Sequence, residues 1–119
     1  KKKNLLIVGY SYKNNVDDVR YSPTMDLYKR ISKNFLNSEM IDPMIDKKKY
    51  ESVVKKDIRK FQVVLLCVNH KNFKYKKLIE NLNKNSTLFD LCFYFKKNKI
   101  NPIFKKENIK IHQIGKYDE

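Results

Sequence analysis

The stretch Leu5-Leu6-Ile7-Val8-Gly9 decides the fold. Four apolar residues in succession, closed by a glycine, predict a short strand covered on both faces that ends in a turn. From Gly9 to Ser22 the chain is polar and reads as a loop. Ser22-Pro23 then reads as a helix start, with serine as the cap and proline in the first helical position, where its missing N–H costs nothing. Tyr28, Ile31 and Phe35 recur at helical spacing, which predicts a helix from Thr24 to about Phe35.

The same alternation continues downstream. Glu39-Met40-Ile41 is a second short strand, stopped by Asp42-Pro43. Tyr50, Val53, Val54 and Ile58 mark a second helix. Phe61–Val68, apolar nearly throughout, is the strongest strand. Asn69–Asn72 is a loop, Tyr75, Leu78, Ile79 and Leu82 define a third helix, and Thr87–Asp90 is a fourth strand. Pro102 argues against regular structure between Phe93 and Phe104, and Ile109–His112 alternates like an edge strand. Strands alternating with helices predict an α/β fold, a mostly parallel sheet of about five strands flanked by helices. Ligands of such sheets bind at the carboxyl ends of the strands, so the loops after Val8, Val68 and Asp90 are where function is expected.

With 119 residues and 41% hydrophobic content, the chain fits one domain, residues 1–119, with a real core. The longest apolar run, Val63–Val68, is far short of the roughly 18 residues of a membrane helix. Lys1–Lys3 lead straight into a strand rather than into a signal-peptide core, and a start at lysine suggests a piece of a longer protein. Two cysteines, Cys67 and Cys92, make no disulfide framework, which sets the cytoplasm as the expected compartment. The outlying number is charge, +14 from 27 Lys+Arg against 13 Asp+Glu. Such a surface favours anionic partners. All but three of these cations are lysine, however, and Lys, Asn and Ile share A/T-rich codons, so a biased genome can inflate the count without selection for a partner.

The first loop is the most informative segment: Gly9-Tyr10-Ser11-Tyr12-Lys13, then Val16-Asp17-Asp18-Val19-Arg20, then Ser22-Pro23. Lys13 can set a point charge on a phosphate, and Arg20 can make a forked contact to a phosphate or carboxylate. Asp17 and Asp18, beside Arg20, read as residues that pin the loop rather than as metal ligands. This pattern resembles the UDP-glucose/GDP-mannose dehydrogenase family, in its C-terminal, nucleotide-sugar-binding domain, which opens with Gly-Leu-Ala-(Phe/Tyr)-Lys and continues with Asp-Asp-(Leu/Val)-Arg-Glu-Ser-Pro. Ile41-Asp42-Pro43 resembles the family's Tyr-Asp-Pro, Val63–Val68 with Asn69-His70 its apolar strand ending in Thr-(Glu/Asp)-His, and Phe89-Asp90 its Val-Asp.

The resemblance implies a three-layer Rossmann-like domain. It implies that Tyr12 and Lys13 contact a UDP-sugar and that Arg20 contacts NAD across a domain cleft. The whole enzyme, a homodimer, would oxidise a sugar's primary alcohol to a carboxylate through a thiohemiacetal on cysteine. Two positions depart from the family pattern. Tyr21 replaces the glutamate before Ser-Pro, and Leu91-Cys92-Phe93 stands where many members carry an arginine that reaches the other subunit's substrate.

The family's N-terminal and central domains have no counterpart here. Gly9 and Gly115 are the sole glycines, so no Gly-x-Gly-x-x-Gly fingerprint exists, and no Gly-Gly-x-Cys-x-Pro-Lys segment occurs. The fragment by itself is therefore not expected to oxidise anything. Cys67 reads as an inert thiol of an apolar strand, Cys92 as structural, and His70 as a loop residue bonded to backbone. Cys67, His70, Cys92 and His112 have no zinc-knuckle spacing, so no metal is expected. Two other readings compete. Lysine clusters with Phe73, Tyr75 and Phe104 suggest a single-stranded nucleic-acid module, against which the lysines are spread over every segment and no binding motif occurs. The missing arginine near Cys92 suggests a degenerate domain kept for protein association.

Overall fold

The structure, a computed structural model, describes residues 3–10, 23–70, 73–92, 94 and 110–113. It contains a sheet of five strands: β1 (Asn4–Val8), β2 (Asn37–Ile41), β3 (Val63–Leu66), β4 (Thr87–Asp90) and β5 (Lys110–Gln113). Their spatial order is β2-β1-β3-β4-β5, and every neighbouring pair is parallel. Between them lie helices α1 (Pro23–Ile31), α2 (Lys47–Ser52) and α3 (Lys76–Glu80).

Alternation along β1 sets the layers, because successive side chains of a strand point to opposite faces. Leu5 and Ile7 pack with Leu27, Tyr28 and Ile31 of α1. Leu6 and Val8 pack on the other side with Tyr50 of α2 and Leu78 and Ile79 of α3. Connection handedness explains the division. From β1 to β2 the chain steps one way along the sheet, and from β2 to β3 it steps back across β1. Right-handed crossovers in opposite directions put their helices on opposite faces. The step from β3 to β4 repeats the direction of β2 to β3, and α3 accordingly joins α2. All four β1 core side chains, Leu5 to Val8, are fully buried. Each contributes about 1.5–3 kcal/mol of apolar burial, which makes this strand the mechanical centre of the domain.

The elements are shorter than the apolar spacing predicts, and local chemistry accounts for each case. The first helix starts at Pro23 as expected but gives way after Ile31 to a 3-10 turn, Ser32–Asn34, closed by Phe35 N–H on the Ser32 carbonyl at 3.1 Å. Serine and asparagine compete for backbone hydrogen bonds and weaken a helix end. The second helix starts where Asp46 accepts from Lys49 N–H at 3.1 Å. It then loosens into a π turn over Val53–Asp57 and a 3-10 turn over Ile58–Lys60, which keeps Tyr50, Val53, Val54 and Ile58 all buried. In the third, Leu82 lies beyond the helix end yet stays buried. Asn81 anchors that end by donating to the Val54 carbonyl at 3.1 Å. The strand expected over Phe61–Val68 is regular over Val63–Leu66, with one more ladder bond at each end, from Gln62 N–H to Asn4 at 3.1 Å and from Cys67 N–H to Val8 at 2.8 Å. Ser22 and the stretch from Phe95 to Ile109 lie outside the described residues.

Candidate functional site

Order 2-1-3-4-5 reverses direction between β1 and β3, and this is where doubly wound sheets open a crevice for ligands. The register makes the strand ends level: Val8 lies opposite both Ile41 and Leu66, and Leu66 opposite Asp90. The ladder runs one residue further in each case. Gly9 N–H donates to Ile41 at 2.7 Å, Cys67 N–H to Val8 at 2.8 Å, and Leu91 N–H to Leu66 at 2.9 Å. Gly9, Asp42, Cys67 and Leu91 therefore open onto one row, the floor of the site.

Gly9 is required twice over. Its φ is +94°, a conformation that costs an L-residue strain, and a Cβ there would lie 2.7 Å from Val68 Cβ and 2.8 Å from Val68 N. The chain after β3 thus crosses directly against the end of β1. A tyrosine holds it there: the Tyr75 hydroxyl donates to the Val68 carbonyl at 2.7 Å, and Tyr75 N–H donates to the Tyr94 hydroxyl at 3.1 Å. Tyr75 is fully buried and packs edge-on against Phe73 and Tyr94, with centroids 5.0 and 5.3 Å away. Burial raises the hydroxyl pKa of Tyr75 and of Tyr50, so both remain neutral donors.

Asp42, directly after β2, is the hub. Its Oδ2 accepts from Tyr10 N–H at 2.8 Å, and its Oδ1 accepts from Met44 N–H at 2.7 Å and from Ile45 N–H at 3.3 Å. His70 Nε2 lies 3.1 Å from Oδ1 and 3.3 Å from Oδ2. Both side chains are completely buried. Burial disfavours the Asp42 charge, but the bonds from His70, Met44 and Tyr10 outweigh it and hold the carboxyl below its usual value. An ionised carboxylate only accepts, so Nε2 carries the proton. The same neighbourhood raises the Tyr10 hydroxyl, through burial first and then through the charges of Asp42 and Asp46.

Asp90 organises the end of β4. Its Oδ1 accepts from Tyr94 N–H at 2.9 Å and from Cys92 N–H at 3.3 Å, with the Cys92 thiol at 3.6 Å. Burial, followed by the Asp90 charge, pushes the Cys92 thiol up. Cys67 is pushed up to about 12, chiefly by burial. Neither thiol is activated. Among the described residues no three His, Cys, Asp or Glu side chains gather as a metal set, and no helix is long and apolar enough to cross a membrane. A dinucleotide cradle does not fit here either. Val68 fills the space above Gly9, where a Gly-x-Gly-x-x-Gly turn lets a pyrophosphate approach. An open groove of about 320 Å³ lies beside Tyr10, between Met25 and Tyr28 of α1 and the outer edge of β2 at Ser38, Glu39 and Met40.

Tyr12, Lys13 and Arg20, the residues the sequence nominates, lie outside the described residues, as do Asp17 and Asp18. The structure places both roots of their loop: Gly9-Tyr10 at the end of β1, and Pro23 at the start of α1. The sequence reading did not join Asp42 to His70. It expected His70 to bond to backbone at the strand end, and the structure adds a side-chain partner, the carboxylate of Asp42, at Nε2. The available signal was positional, an aspartate and a histidine each just beyond the end of a strand.

Comparison with known proteins follows this geometry. No curated protein sequence matches. Among solved structures, the fold is similar to that of UDP-D-ManNAc dehydrogenase from Pyrococcus horikoshii, with a TM-score of 0.67 and 16% identity over 96% of this chain and 26% of that one. It is likewise similar to the UDP-N-acetyl-mannosamine dehydrogenase Cap5O from S. aureus, with a TM-score of 0.68 and 20% identity over 94% of this chain and 26% of that one. The chain thus spans about a quarter of either enzyme. The family model of the UDP-glucose/GDP-mannose dehydrogenase family, UDP binding domain, matches residues 6–97, from within β1 to beyond Asp90 and Tyr94. By that match the chain belongs to the UDP-glucose/GDP-mannose dehydrogenase family, and it corresponds to the family's UDP binding domain.

Proposed function

We propose that residues 1–119 form the nucleotide-sugar-binding domain of an NAD-dependent UDP-sugar 6-dehydrogenase, of the UDP-N-acetylmannosamine or UDP-glucose type. Such an enzyme oxidises the sugar C6 alcohol to a uronic acid. The observation that carries this reading is the family match, which covers the first loop together with the row of strand ends. In this reading Lys13 holds phosphate or sugar oxygens as a point charge, and Tyr12 packs and bonds beside it. Arg20 reaches toward NAD, which is held mainly by a domain outside these residues, as is the catalytic cysteine. The chain alone binds and does not oxidise. The whole enzyme is a cytoplasmic homodimer that supplies uronic acids for polysaccharide synthesis.

Calorimetric titration tests this. The chain is titrated with UDP-N-acetylmannosamine, UDP-glucose, GDP-mannose and a short single-stranded oligonucleotide at two salt concentrations. Selective UDP-sugar binding, lost in Lys13→Ala, is expected. Oligonucleotide binding alone, falling steeply with salt, would overturn the proposal in favour of a basic binding module.

A further inference from the structure

The crevice floor at the strand reversal is filled by the protein's own side chains. Asp42 follows β2 and His70 follows β3, on opposite sides of β1, and they meet across its end. The carboxylate that binds His70 also takes Tyr10 N–H at 2.8 Å, and Tyr10 is the last described residue before the segment carrying Tyr12 and Lys13. Val68, two residues before His70, packs against Gly9, one residue before Tyr10. Phe73 N–H returns to the His70 carbonyl at 3.2 Å, and Tyr75 fastens Val68. The start of the first loop is thus bound to two other loops through one buried carboxylate.

We propose that Asp42 and His70 are positioning residues, a brace that aims the start of the first loop so that its lysine meets the nucleotide. The affinity arm of this inference rests on the nucleotide-sugar reading; the structural arm does not. The brace acts through hydrogen bonds of fixed direction rather than through volume. A buried carboxylate with four donors among the described residues has one favourable orientation, and each donor it loses frees the group that shared it.

The test separates bonding from filling. His70→Leu keeps an apolar body in the site and deletes the Nε2 donor; His70→Gln restores an amide N–H at a similar reach. Hydrogen exchange at Tyr10 N–H and UDP affinity are read in both variants and in the unmodified chain, with Ile79 N–H in α3 as the internal reference. Loss of one hydrogen bond to a charged group predicts about tenfold faster exchange at Tyr10 and about tenfold weaker UDP binding in His70→Leu. Most of both effects should return in His70→Gln, with Ile79 unchanged. Equal Tyr10 exchange in His70→Leu and the unmodified chain, or no recovery in His70→Gln, would overturn the brace. Where His70→Leu does not fold, Asp42→Asn gives the same reading at Tyr10, because it retains an acceptor oxygen but loses the charge. An unmodified chain that binds no UDP removes the nucleotide-sugar reading, while the exchange comparison still decides the brace.

Discussion

Two aspartates end two strands of this sheet and do different work. Asp90, the last residue of β4, folds its own turn: among the described residues it accepts from Cys92 and Tyr94, two and four residues on. Asp42, after β2, also folds its own turn through Met44 and Ile45, but it reaches Tyr10 and His70 as well, 32 and 28 residues away. Both are fully buried. The difference lies in where the strands sit. β2 neighbours β1 at the point where the strand order reverses, so three chain segments converge on its end. β4 lies beyond the reversal, and the described donors to Asp90 lie within the next four residues. A buried charge at a convergence becomes a joint, whereas one at a turn is a cap.

Perturbations of stability can break this contrast, and urea unfolding measures them. Asp42→Ala should have the largest effect. It takes the carboxylate away from the buried His70 Nε2 and from Tyr10 and Met44 N–H, an expected loss of roughly 3–5 kcal/mol. Gly9→Ala comes next. Positive φ and overpacking against Val68 together cost roughly 2–4 kcal/mol. Asp90→Ala should cost less, about 1–3 kcal/mol, because the described donors it releases, Cys92 and Tyr94 N–H, lie within one turn. If it equals Asp42→Ala, the distinction between joint and cap fails. Lys60→Ala is the smallest. Its 3.1 Å pair with Asp57 is largely exposed, so a change below about 0.5 kcal/mol is expected.

Acid sharpens the same contrast. The folded-state pKa of Asp42 lies below the ordinary 3.8. Its ionisation therefore adds stability that is fully present above that value and is lost as pH falls through the lower folded one. The stability gap between the unmodified chain and Asp42→Asn should close as pH falls below about 4. A gap that does not close there would mean that the fold does not hold this carboxyl ionised.

Much of this was legible locally. The Leu5–Val8 run, the Gly9 stop, Pro23 at the helix start and the Asp42-Pro43 stop all appear where the sequence places them, because each depends on residues within one turn. Element ends were less legible. Leu82 keeps helical spacing but lies past the end of α3, since burial against the sheet rewards an apolar residue whether or not the helix continues. The candidate site divides the same way. Tyr12, Lys13 and Arg20 were nominated by their order in one loop, while Asp42, His70 and Tyr75 carry no local mark of their joint role.

Sequence alone determined the strand–helix alternation, and with it the parallel sheet, the family and the loop in which chemistry should be sought. Only the tertiary structure decided which side chains fill the reversal between β1 and β3. Periodicity and turn chemistry act over a few residues, whereas a carboxylate chooses among whatever donors packing brings within 3 Å or so. Here that donor stood 28 residues away, on the far side of an intervening strand.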